Sequence, residues 1–539
     1  MSIKNEIKTN IKSILDKLNI EVPDNQINVE VPANKKNGDY ATNVALVLAR
    51  TLKKRPMDIA KEIAPLFDQE LFENVFIAEP GFINLDINKQ HLLNNINKII
   101  QEGNNYGKSN YGQGKKINIE FVSANPTGIL HIGHGRGATY GDNLARILKF
   151  AGYDITKEYY VNDAGNQMNN LGISIKERYK EICGMEAHLP EDGYHGKEII
   201  DIAKNIYDCY GNTKLEENIE FFKKEGLDIL LAQIKKDLDV YRVNFDIFTS
   251  EQSLYDRSLV ENVLDKLKKS GKCYIAENAL WLKTTDYNDE KDRVLIKSDG
   301  NYTYLLPDIA YHVDKLSRGY DELIDVLGSD HHGYINRLKA SLEILGQDKD
   351  KLDIKILQMV RLIKDGEELK LSKRTGKTIT LNDLISEVGV NATRYFFSSH
   401  SLDAQMDFDL DLAMKQSSDN PVYYIEYANA RISSILKHYS EINSVDKFTT
   451  INDQQSFDIL NKLYEFEDTV LLAAIKKQPH IIANYAYNLA TLFHSYYTKE
   501  KIITDNIEYT NERILLIKAI KTVLVNSLDL IGIIPREEM

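Results

Sequence analysis

The stretch Glu120–Asn143, EFVSANPTGILHIGHGRGATYGDN, decides how the centre of the chain folds. Its pattern predicts a β-strand, a turn at Pro126–Gly128, and a helix that begins at His131–His134. The unpaired N–H groups and the dipole of a helix start favour anions, so two imidazoles beside it indicate a nucleotide site. Chance and a metal site are open alternatives for so short a pattern, and its place between strand and helix favours the nucleotide. Three glycines would let a phosphate or adenine approach the backbone: Gly133, Gly135 and Gly137.

A basic segment, Lys370–Lys377 (KLSKRTGK), lies far downstream of this stretch. Its ammonium groups, hydroxyls and glycine suit a polyphosphate, although most such charge runs are solvated loops. In this order, the two segments resemble the HIGH and KMSKS signatures of class I aminoacyl-tRNA synthetases. The second segment departs from KMSKS at Leu371 and Arg374. The pair therefore favours an ATP site over a surface charge cluster.

Composition indicates a soluble protein of several domains. The chain has 539 residues, of which 43% are hydrophobic and 27% are charged. Cys183, Cys209 and Cys273 form no Cys-x-x-Cys pair, which argues against a zinc ribbon or a disulfide framework and for a reducing cytoplasm. No stretch is long and apolar enough to span a membrane, and the N-terminus is too polar for a signal peptide. A net charge of −13 does not exclude a nucleic-acid partner, because phosphate contacts need only local basic patches.

Local patterns predict an α/β multidomain chain. Residues 1–113 form the first predicted domain, with helices at Ile3–Leu18 and Thr42–Ile63 and a strand at Gly81–Ile87. Glycines interleaved with Asn and Tyr mark a loop-rich boundary at its end. This domain therefore combines helices and strands.

Residues 114–400 alternate strands and helices, which predicts a parallel sheet with crossover helices. Charged helical sequence at about 166–245 predicts an insertion in that fold. Strand signals end after about residue 400, so residues 401–539 are predicted to form an all-α bundle. The predicted strands of the central region are INIEFVS (117–123), DITKEYYV (154–161), ELIDVLGS (322–329) and KILQMVRL (355–362).

Longer segments resemble the bacterial-type arginyl-tRNA synthetases along essentially the whole chain. The resemblance implies an N-terminal α/β domain that contacts the tRNA elbow, a Rossmann-type class I catalytic core, and an α-helical anticodon-binding domain. It further implies that ATP and L-arginine form arginyl-adenylate and pyrophosphate, and that the arginyl group then passes to the 3′-terminal adenosine of tRNA(Arg). Members generally need bound tRNA before they activate arginine. The segments that carry the resemblance are GDYATNVALVLAR (38–50), EPGFINLDI (79–87), EFVSANPTGILHIGHGRGA (120–138), YYVNDAGNQM (159–168), ALWLKTTDYNDEKDRVLIKSDGNYTYLLPDIAYH (279–312), GSDHHGY (328–334), LKLSKRTGKTITL (369–381) and NPVYYIEYANARISSIL (420–436).

The side chain of arginine requires a pocket with particular acidic residues. A guanidinium presents five N–H donors in one plane and keeps its charge, so its pocket needs carboxylates in a fork. The resemblance assigns this role to Glu251 and Asp308, with Tyr304 as a wall or a phenolic acceptor. An ammonium cannot satisfy two separated carboxylates in one plane, which disfavours lysine. Taken alone, Asp308 is equally typical of a helix cap or a surface acid.

The resemblance assigns the α-amino and carboxylate ends of arginine to Ser123 and Asn125, helped by Glu120 and Asp330. Ser123 and Asn125 are also typical of a turn, and the two roles are compatible. The same crevice would be lined by Asn162, Asp163 and Gln167, whereas Tyr159 and Tyr160 are predicted to be core.

The resemblance also assigns the ATP site. Its catalytic residues are His131, His134, Lys370 and Lys373, and its further ATP contacts are Gly133, Gly135 and Ser372. The histidines would hydrogen-bond phosphate and ribose oxygens, and the lysines would hold the leaving pyrophosphate with Mg²⁺. Because the carboxylate of arginine attacks the α-phosphate, catalysis needs positioning and charge stabilisation rather than a side-chain nucleophile. The adjacent pair His331–His332 is a poor ligand set for one ion, so no zinc or other protein-bound metal is predicted.

The helix NPVYYIEYANARI (420–432) is predicted to contact tRNA(Arg) through Arg431 and Tyr427, while its other aromatic residues pack in the core. The family usually has Gln and His where this chain has Glu426 and Asn429. A carboxylate cannot donate a hydrogen bond, so an RNA contact at Glu426 is in question. The resemblance implies a cytoplasmic monomer.

Two other classes of protein are the alternatives. A cysteinyl-tRNA synthetase shares the class and a related helical domain, but it requires zinc ligation that the three cysteines do not supply. A catalytically silent RNA-binding paralogue would have no reason to keep the two signatures and Asp308 together. Pyrophosphate exchange with and without tRNA separates these hypotheses.

Overall fold

Three regions follow one another along the chain, and each has its own secondary-structure pattern. In the computed structural model an antiparallel α/β unit leads into a parallel α/β core, and helices end the chain. The described residues are 3–331, 333–369, 379–439, 445 and 447–539, without the side chains of Asp24, Lys35 and Asp330. Within those ranges, every helix is too short or too polar to cross a membrane.

The N-terminal region consists of α1 (Ile3–Lys17), β1 (Val29–Glu30), β2 (Tyr40–Thr42), α2 (Val44–Leu52), α3 (Pro56–Ile63), β3 (Phe72–Ala78), β4 (Phe82–Ile87) and α4 (Lys89–Glu102). Its strands form an antiparallel sheet in the order β1-β2-β4-β3. The predicted first helix is confirmed, because α1 buries an isoleucine stripe at helical spacing. The helical pattern at Thr42–Ile63 is two helices, since Lys53 takes a left-handed φ of 52° and Pro56 starts the second helix.

The central region consists of β5 (Lys116–Glu120), α5 (Ile132–Phe150), β6 (Asp154–Val161), α6 (Asn166–Ile182), α7 (Lys197–Tyr210), α8 (Ile219–Val240), β7 (Ile247–Ser250), α9 (Glu251–Asp256), α10 (Leu259–Lys269), β8 (Cys273–Ala276), β9 (Ala279–Leu282), β10 (Arg293–Ile296), α11 (Leu305–Ser317), β11 (Glu322–Gly328), α12 (Tyr334–Ile344) and β12 (Leu352–Leu357). The predicted parallel sheet is confirmed, in the order β12-β11-β5-β6-β7. This is the doubly wound order, which leaves a crevice where β5 and β11 end. Helices α6, α7 and α8 form the predicted insertion, and β8, β9 and β10 form a separate antiparallel sheet.

A small mixed sheet and further helices follow: β13 (Val360–Lys364), β14 (Glu367–Glu368), α13 (Leu381–Val388), α14 (Val390–Ser398), β15 (Met406–Asp409) and α15 (Leu410–Met414). The prediction of one strand at Lys355–Leu362 is wrong, because β12 ends at Leu357 and β13 belongs to a different sheet. At the break, the Gln358 carbonyl accepts a hydrogen bond from the buried Arg136 at 2.8 Å, which fixes the turn. The prediction that strands end near residue 400 is also wrong, since β15 pairs in parallel with β13.

The C-terminal region is the predicted helical bundle, made of α16 (Pro421–His438), α17 (Gln454–Tyr464), α18 (Phe466–Lys476), α19 (His480–Lys499) and α20 (Ile507–Leu530). Helix α4 of the N-terminal region packs against α17 and α20. Tyr106, just after α4, is buried, accepts a hydrogen bond from Asn95 at 3.0 Å and donates one to the Leu463 carbonyl at 3.2 Å. The first and last regions are therefore joined by a shared core, while the boundary at residue 113 stays a prediction.

Candidate active site

Three acidic side chains lie side by side on the central strands, level with the carboxyl end of β5. Asp325 on β11, Glu120 on β5 and Glu158 on β6 are neighbours in strand register, and all three are buried. Lys315 Nζ lies 2.7 Å from both Glu120 Oε2 and Asp325 Oδ1. Arg318 Nη2 lies 2.9 Å from Glu158 Oε1. Buried charges survive when they are paired in this way, so charged groups are fixed in the crevice where doubly wound folds bind ligands.

Glu120, His312 and Asp325 offer three potential metal ligands within 4.8 Å of one another. Lys315 donates to both carboxylates, and His312 Nε2 lies 2.6 Å from Asp325, so these ligands already have cationic partners. Burial raises the pKa of Glu120, although Lys315 opposes this. Burial opposes ionisation of Asp325, but Lys315 and His312 outweigh it and lower the pKa of Asp325. The cluster is a self-neutralised ion network, which does not require a metal.

Glu251 is the first residue of α9 and follows Ser250, whose hydroxyl caps that helix. The Glu251 side chain is buried and is hydrogen-bonded to Tyr160. Burial raises the pKa of Glu251 to about 7; the Tyr160 bond opposes this, and Asp163 and Asp308 add to it. Within the described ranges, no Lys or Arg forms an ion pair with Glu251. A buried acid with acidic neighbours favours a cationic ligand.

Asp308 lies in the first turn of α11, close enough to Glu251 for the two carboxylates to repel each other. Its Oδ1 lies 3.3 Å from His312 Nδ1, and its carboxylate is hydrogen-bonded to Tyr334. The structure therefore brings together the two acids predicted to bind a guanidinium. Tyr304 precedes the same helix with 78% of its surface exposed, so it is no pocket wall here.

Tyr159 and Tyr160 differ in burial and in their hydrogen bonds. Both were predicted to be core, and only Tyr159 is fully buried, with its hydroxyl donating to the Ala124 carbonyl at 2.8 Å. Tyr160 is half-buried, bonded to Glu251 and 4.5 Å from the Tyr311 ring by centroids. Each tyrosine combines an apolar ring with a polar hydroxyl, so a core tyrosine and a tyrosine bonded to a site residue look alike in the sequence. The sequence alone therefore does not separate these two roles.

The turn after β5 carries the residues predicted to bind the other end of arginine. Val122 and Ser123 have φ values of 68° and 37°, a conformation that costs energy outside glycine. Ser123 Oγ donates to Glu120 Oε1 at 3.0 Å and accepts from the Tyr160 N–H at 3.1 Å. Asn125 is exposed. Ser123 thus lies beside Glu120 at the strand end, and the side chain of Asp330 is outside the described residues.

The two histidines form the start of α5. His131 Nδ1 accepts a hydrogen bond from the Gly133 N–H at 3.1 Å, and His134 Nδ1 accepts one from the His131 N–H at 3.2 Å. Their rings stack with centroids 3.7 Å apart. Burial and then His131 lower the pKa of His134 to about 3. His134 is therefore neutral with its proton on Nε2, where it can donate to an oxygen atom.

The glycines of α5 divide into two groups. A Cβ at Gly135 would lie 2.7 Å from Leu381 Cδ1, and one at Gly141 would lie 2.2 Å from Phe121 Cγ. Gly135 packs against α13 and is buried, so it has no exposed surface for its predicted contact with ATP. Gly133 is partly exposed, so a contact with ATP there stays a prediction.

The basic segment predicted to hold pyrophosphate, with Lys370, Ser372 and Lys373, lies outside the described residues. The chain that follows it is described: the Leu381 N–H donates to the Leu130 carbonyl at 2.8 Å. Thr380 forms a β-bridge with His131. The chain that follows the basic segment therefore adjoins the start of α5 at Thr380 and Leu381.

Arg431 on α16 has an aromatic residue on either side. Its guanidinium lies 4.4 Å from the ring centroids of both Tyr427 and Tyr497, and its Nη2 donates to the Tyr427 hydroxyl at 2.5 Å. Tyr427 remains 36% exposed. A stacked guanidinium and an exposed ring suit contact with a nucleic-acid base or phosphate.

The two departures from the family pattern on α16 face away from this surface. Glu426 is buried and accepts a hydrogen bond from Asn391 at 2.6 Å. Asn429 is buried and donates to the Arg536 carbonyl at 2.7 Å. They hold neighbouring protein segments, so their identity bears on packing of the C-terminal tail.

The structure adds site residues that the sequence interpretation missed. Within an apolar helix, His312 and Lys315 follow Asp308 at helical spacing, and Asp325 faces them from β11. Charged residues at core positions were the available signal, because they need buried partners. Tyr334 gave no comparable signal.

Comparisons with known proteins cover all three regions. Family models match for the "Arginyl tRNA synthetase N terminal domain" at residues 5–87, "tRNA synthetases class I (R), catalytic domain" at 95–417 and the "DALR anticodon binding domain" at 425–539. Arginine–tRNA ligase 1 of Halalkalibacterium halodurans and arginine–tRNA ligase of Bacillus subtilis are each 48% identical over 514 residues, covering 93% of this chain and 92% of the relative. The solved Thermus thermophilus arginyl-tRNA synthetase superposes with a TM-score of 0.78 at 20% identity, covering 99% of this chain and 100% of that one.

Proposed function

The chain belongs to the arginyl-tRNA synthetase family, and from this premise we propose how its residues serve the reaction. The enzyme ligates L-arginine to the 3′ end of tRNA(Arg) with ATP, through arginyl-adenylate and with release of pyrophosphate and AMP. We further propose that Mg²⁺ takes part with ATP and that the enzyme acts as a monomer in the cytoplasm.

Glu251 and Asp308 bind the guanidinium of arginine. The observation that carries this assignment is the pairing of two acids from different helices, one of them buried without a basic partner among the described residues. A guanidinium would neutralise both carboxylates and donate in plane to each. Tyr160 and Tyr334 would donate to the same carboxylates and keep their lone pairs oriented.

Glu120, Ser123, Asn125 and Asp330 hold the α-amino and carboxylate ends. Glu120 ends β5 beside the strained turn, and Ser123 is bonded to it, so both lie at the mouth of the crevice. The α-ammonium group would donate hydrogen bonds to the oxygen atoms of Glu120 and Ser123. The carboxylate of arginine would then face the start of α5.

His131 and His134 bind ATP at the start of α5. Neutral His134 offers its Nε2 proton to a phosphate or ribose oxygen, and the helix dipole favours the triphosphate. Lys370, Lys373 and Ser372 would hold the β- and γ-phosphates, and Mg²⁺ would enter bound to ATP. The carboxylate of arginine displaces pyrophosphate in line at the α-phosphate.

The helical bundle binds the anticodon arm of the tRNA, with Arg431 and Tyr427 as contacts. Support comes from the exposed ring stacked on the guanidinium and from the match of the bundle to an anticodon-binding domain. The N-terminal region contacts the elbow of the same tRNA.

Pyrophosphate exchange across a panel of amino acids, with and without total tRNA, tests the proposal. Among the amino acids of the panel, only arginine should support exchange. Glu251→Gln and Asp308→Asn should raise the KM for arginine while the KM for ATP stays constant. Normal arginine KM values in both variants would contradict the guanidinium assignment.

A further inference from the structure

One buried chain of hydrogen bonds runs underneath the arginine site from end to end. It begins at Asp308, whose backbone carbonyl lies 2.8 Å from His312 Nδ1 and whose Oδ1 lies 3.3 Å from the same atom. His312 Nε2 lies 2.6 Å from Asp325 Oδ2. The imidazole therefore touches the guanidinium-binding acid with one nitrogen and a buried strand carboxylate with the other.

The second oxygen of Asp325 continues the chain. Asp325 Oδ1 accepts from Lys315 Nζ at 2.7 Å, and Lys315 also donates to Glu120 Oε2 at 2.7 Å. Glu120 Oε1 in turn accepts from Ser123 Oγ at 3.0 Å. Asp308 and Ser123, which face opposite ends of arginine, are thus tied to the single carboxylate of Asp325.

We propose that Asp325 is the common anchor of the arginine site, and that His312 and Lys315 are positioning residues that transmit its placement to Asp308 and to Glu120. This inference rests on the proposed function, which assigns arginine contacts to Asp308 and Glu120. The three intermediate residues do not touch arginine. They fix where its two ends must lie.

Burial and charge explain why this arrangement holds its geometry. Lys315 is fully buried, and His312 and Asp325 have side chains 3% exposed. Losing one partner would leave an unpaired buried charge, so the network has few alternative arrangements. Burial and Lys315 oppose protonation of His312, but Asp325 and Asp308 outweigh them and raise its pKa to about 10. As an imidazolium, it donates through both nitrogens and so joins Asp308 to Asp325.

Substitution of His312 by Gln tests the link to Asp308. Gln lacks the charge and cannot donate in two opposite directions, so Asp308 loses a charge-assisted contact that is worth roughly 10- to 100-fold in affinity. We expect the Kd for arginine, measured by calorimetry, to rise by about this factor, with an unchanged KM for ATP in tRNA-dependent exchange. A Kd equal to that of the parent enzyme overturns the inference.

A double-mutant cycle separates positioning from general damage. If His312 acts through Asp308, then His312→Gln should add little to Asp308→Asn, so the two effects are strongly non-additive. Additive effects overturn the inference. Asp289→Asn is the matched control, because it breaks another buried pair, Asp289–Arg293 at 2.7 Å, whose hydrogen bonds involve no residue of the network. It should lower the melting temperature without changing the arginine Kd.

The outcomes also separate this inference from the proposed function. A raised Kd in Asp308→Asn with a normal Kd in His312→Gln refutes only the anchor, whereas normal values in both refute the assignment of Asp308 itself. If His312→Gln fails to fold, Asp325→Asn carries the test, since it removes the anchor charge and keeps an oxygen acceptor. It should weaken arginine binding at least as much as His312→Gln, and a parental Kd in folded Asp325→Asn refutes the anchor.

Discussion

Replacement of Glu251 by Gln should weaken arginine binding and, unusually, stabilise the free enzyme. The substitution keeps the shape of the side chain and removes its charge. The acid is 6% exposed and lies beside Asp308, so a bound guanidinium would lose a desolvated, charge-assisted partner. Such a loss costs about 2–4 kcal/mol, which corresponds to a Kd for arginine about 30- to 1000-fold higher.

The effect on stability has the opposite sign and follows from burial. Glu251 has a pKa raised from 4.5 to about 7, so its own contribution to the stability of the fold is largest below pH 4.5 and is lost as the pH rises through about 7. At pH 8 the ionised acid therefore destabilises the free enzyme, by a figure on the order of 2–3 kcal/mol. Glu251→Gln avoids this cost, and we expect a higher melting temperature without arginine.

The same group predicts a pH dependence that the variant should lose. Arginine binds the ionised acid, so the parental Kd should fall as the pH rises through about 7 and level off above it. Calorimetry at several pH values, with exchange kinetics in parallel, measures both effects. The exposed Glu261→Gln on the neighbouring helix α10 is the control and should change neither quantity. An unchanged arginine Kd, or a lower melting temperature in Glu251→Gln, would refute this account of the pocket.

His134→Ala should lower the rate of pyrophosphate exchange by orders of magnitude, because a hydrogen-bond donor to ATP is lost. The tRNA affinity, measured by filter binding, should stay nearly intact. Equal exchange activity in the variant would contradict the ATP site. Gly141→Ala places a methyl group 2.2 Å from the Phe121 ring and should cost about 1–3 kcal/mol, seen as a lower melting temperature. Arg431→Ala should weaken tRNA binding, by roughly tenfold or less for one surface contact, without changing the arginine Kd. Undiminished tRNA affinity would remove Arg431 and Tyr427 from the interface.

Local patterns predicted those parts of the fold whose structure depends on near neighbours in sequence. The strand at Asp154–Val161 and the helix beginning at His131 follow from short-range periodicity and turn residues. The break at Gln358 does not, because it depends on Arg136, far away in the chain. Lone β-branched and aromatic runs look alike whether they continue one strand or join two sheets.

In the candidate site, too, some features could be predicted from the sequence and others depend on distant residues. Glu251 and Asp308 were assigned from the family resemblance, and the structure brings them near each other. The pairing of Lys315 with Glu120 spans 195 positions, and nothing in the local pattern of either segment indicates it. Tyr304 was assigned together with Asp308, while its exposure depends on how the start of α11 meets solvent. Contacts between side chains that are far apart in the sequence could therefore not be predicted from local patterns.

The packing of α4 on the C-terminal bundle determines where the polypeptide can be divided for separate expression. Division of the chain at residue 113 would separate α4 and Tyr106 from the C-terminal fragment. The apolar surfaces of α17 and α20 in that fragment would then be exposed to water. A cut near Asn88, before α4, keeps α4 on those surfaces and removes the sheet with its own helices, together with the hydrogen bond from Tyr464 to Glu6 of α1. Truncated versions made for crystallisation or tRNA footprinting should therefore start at this position.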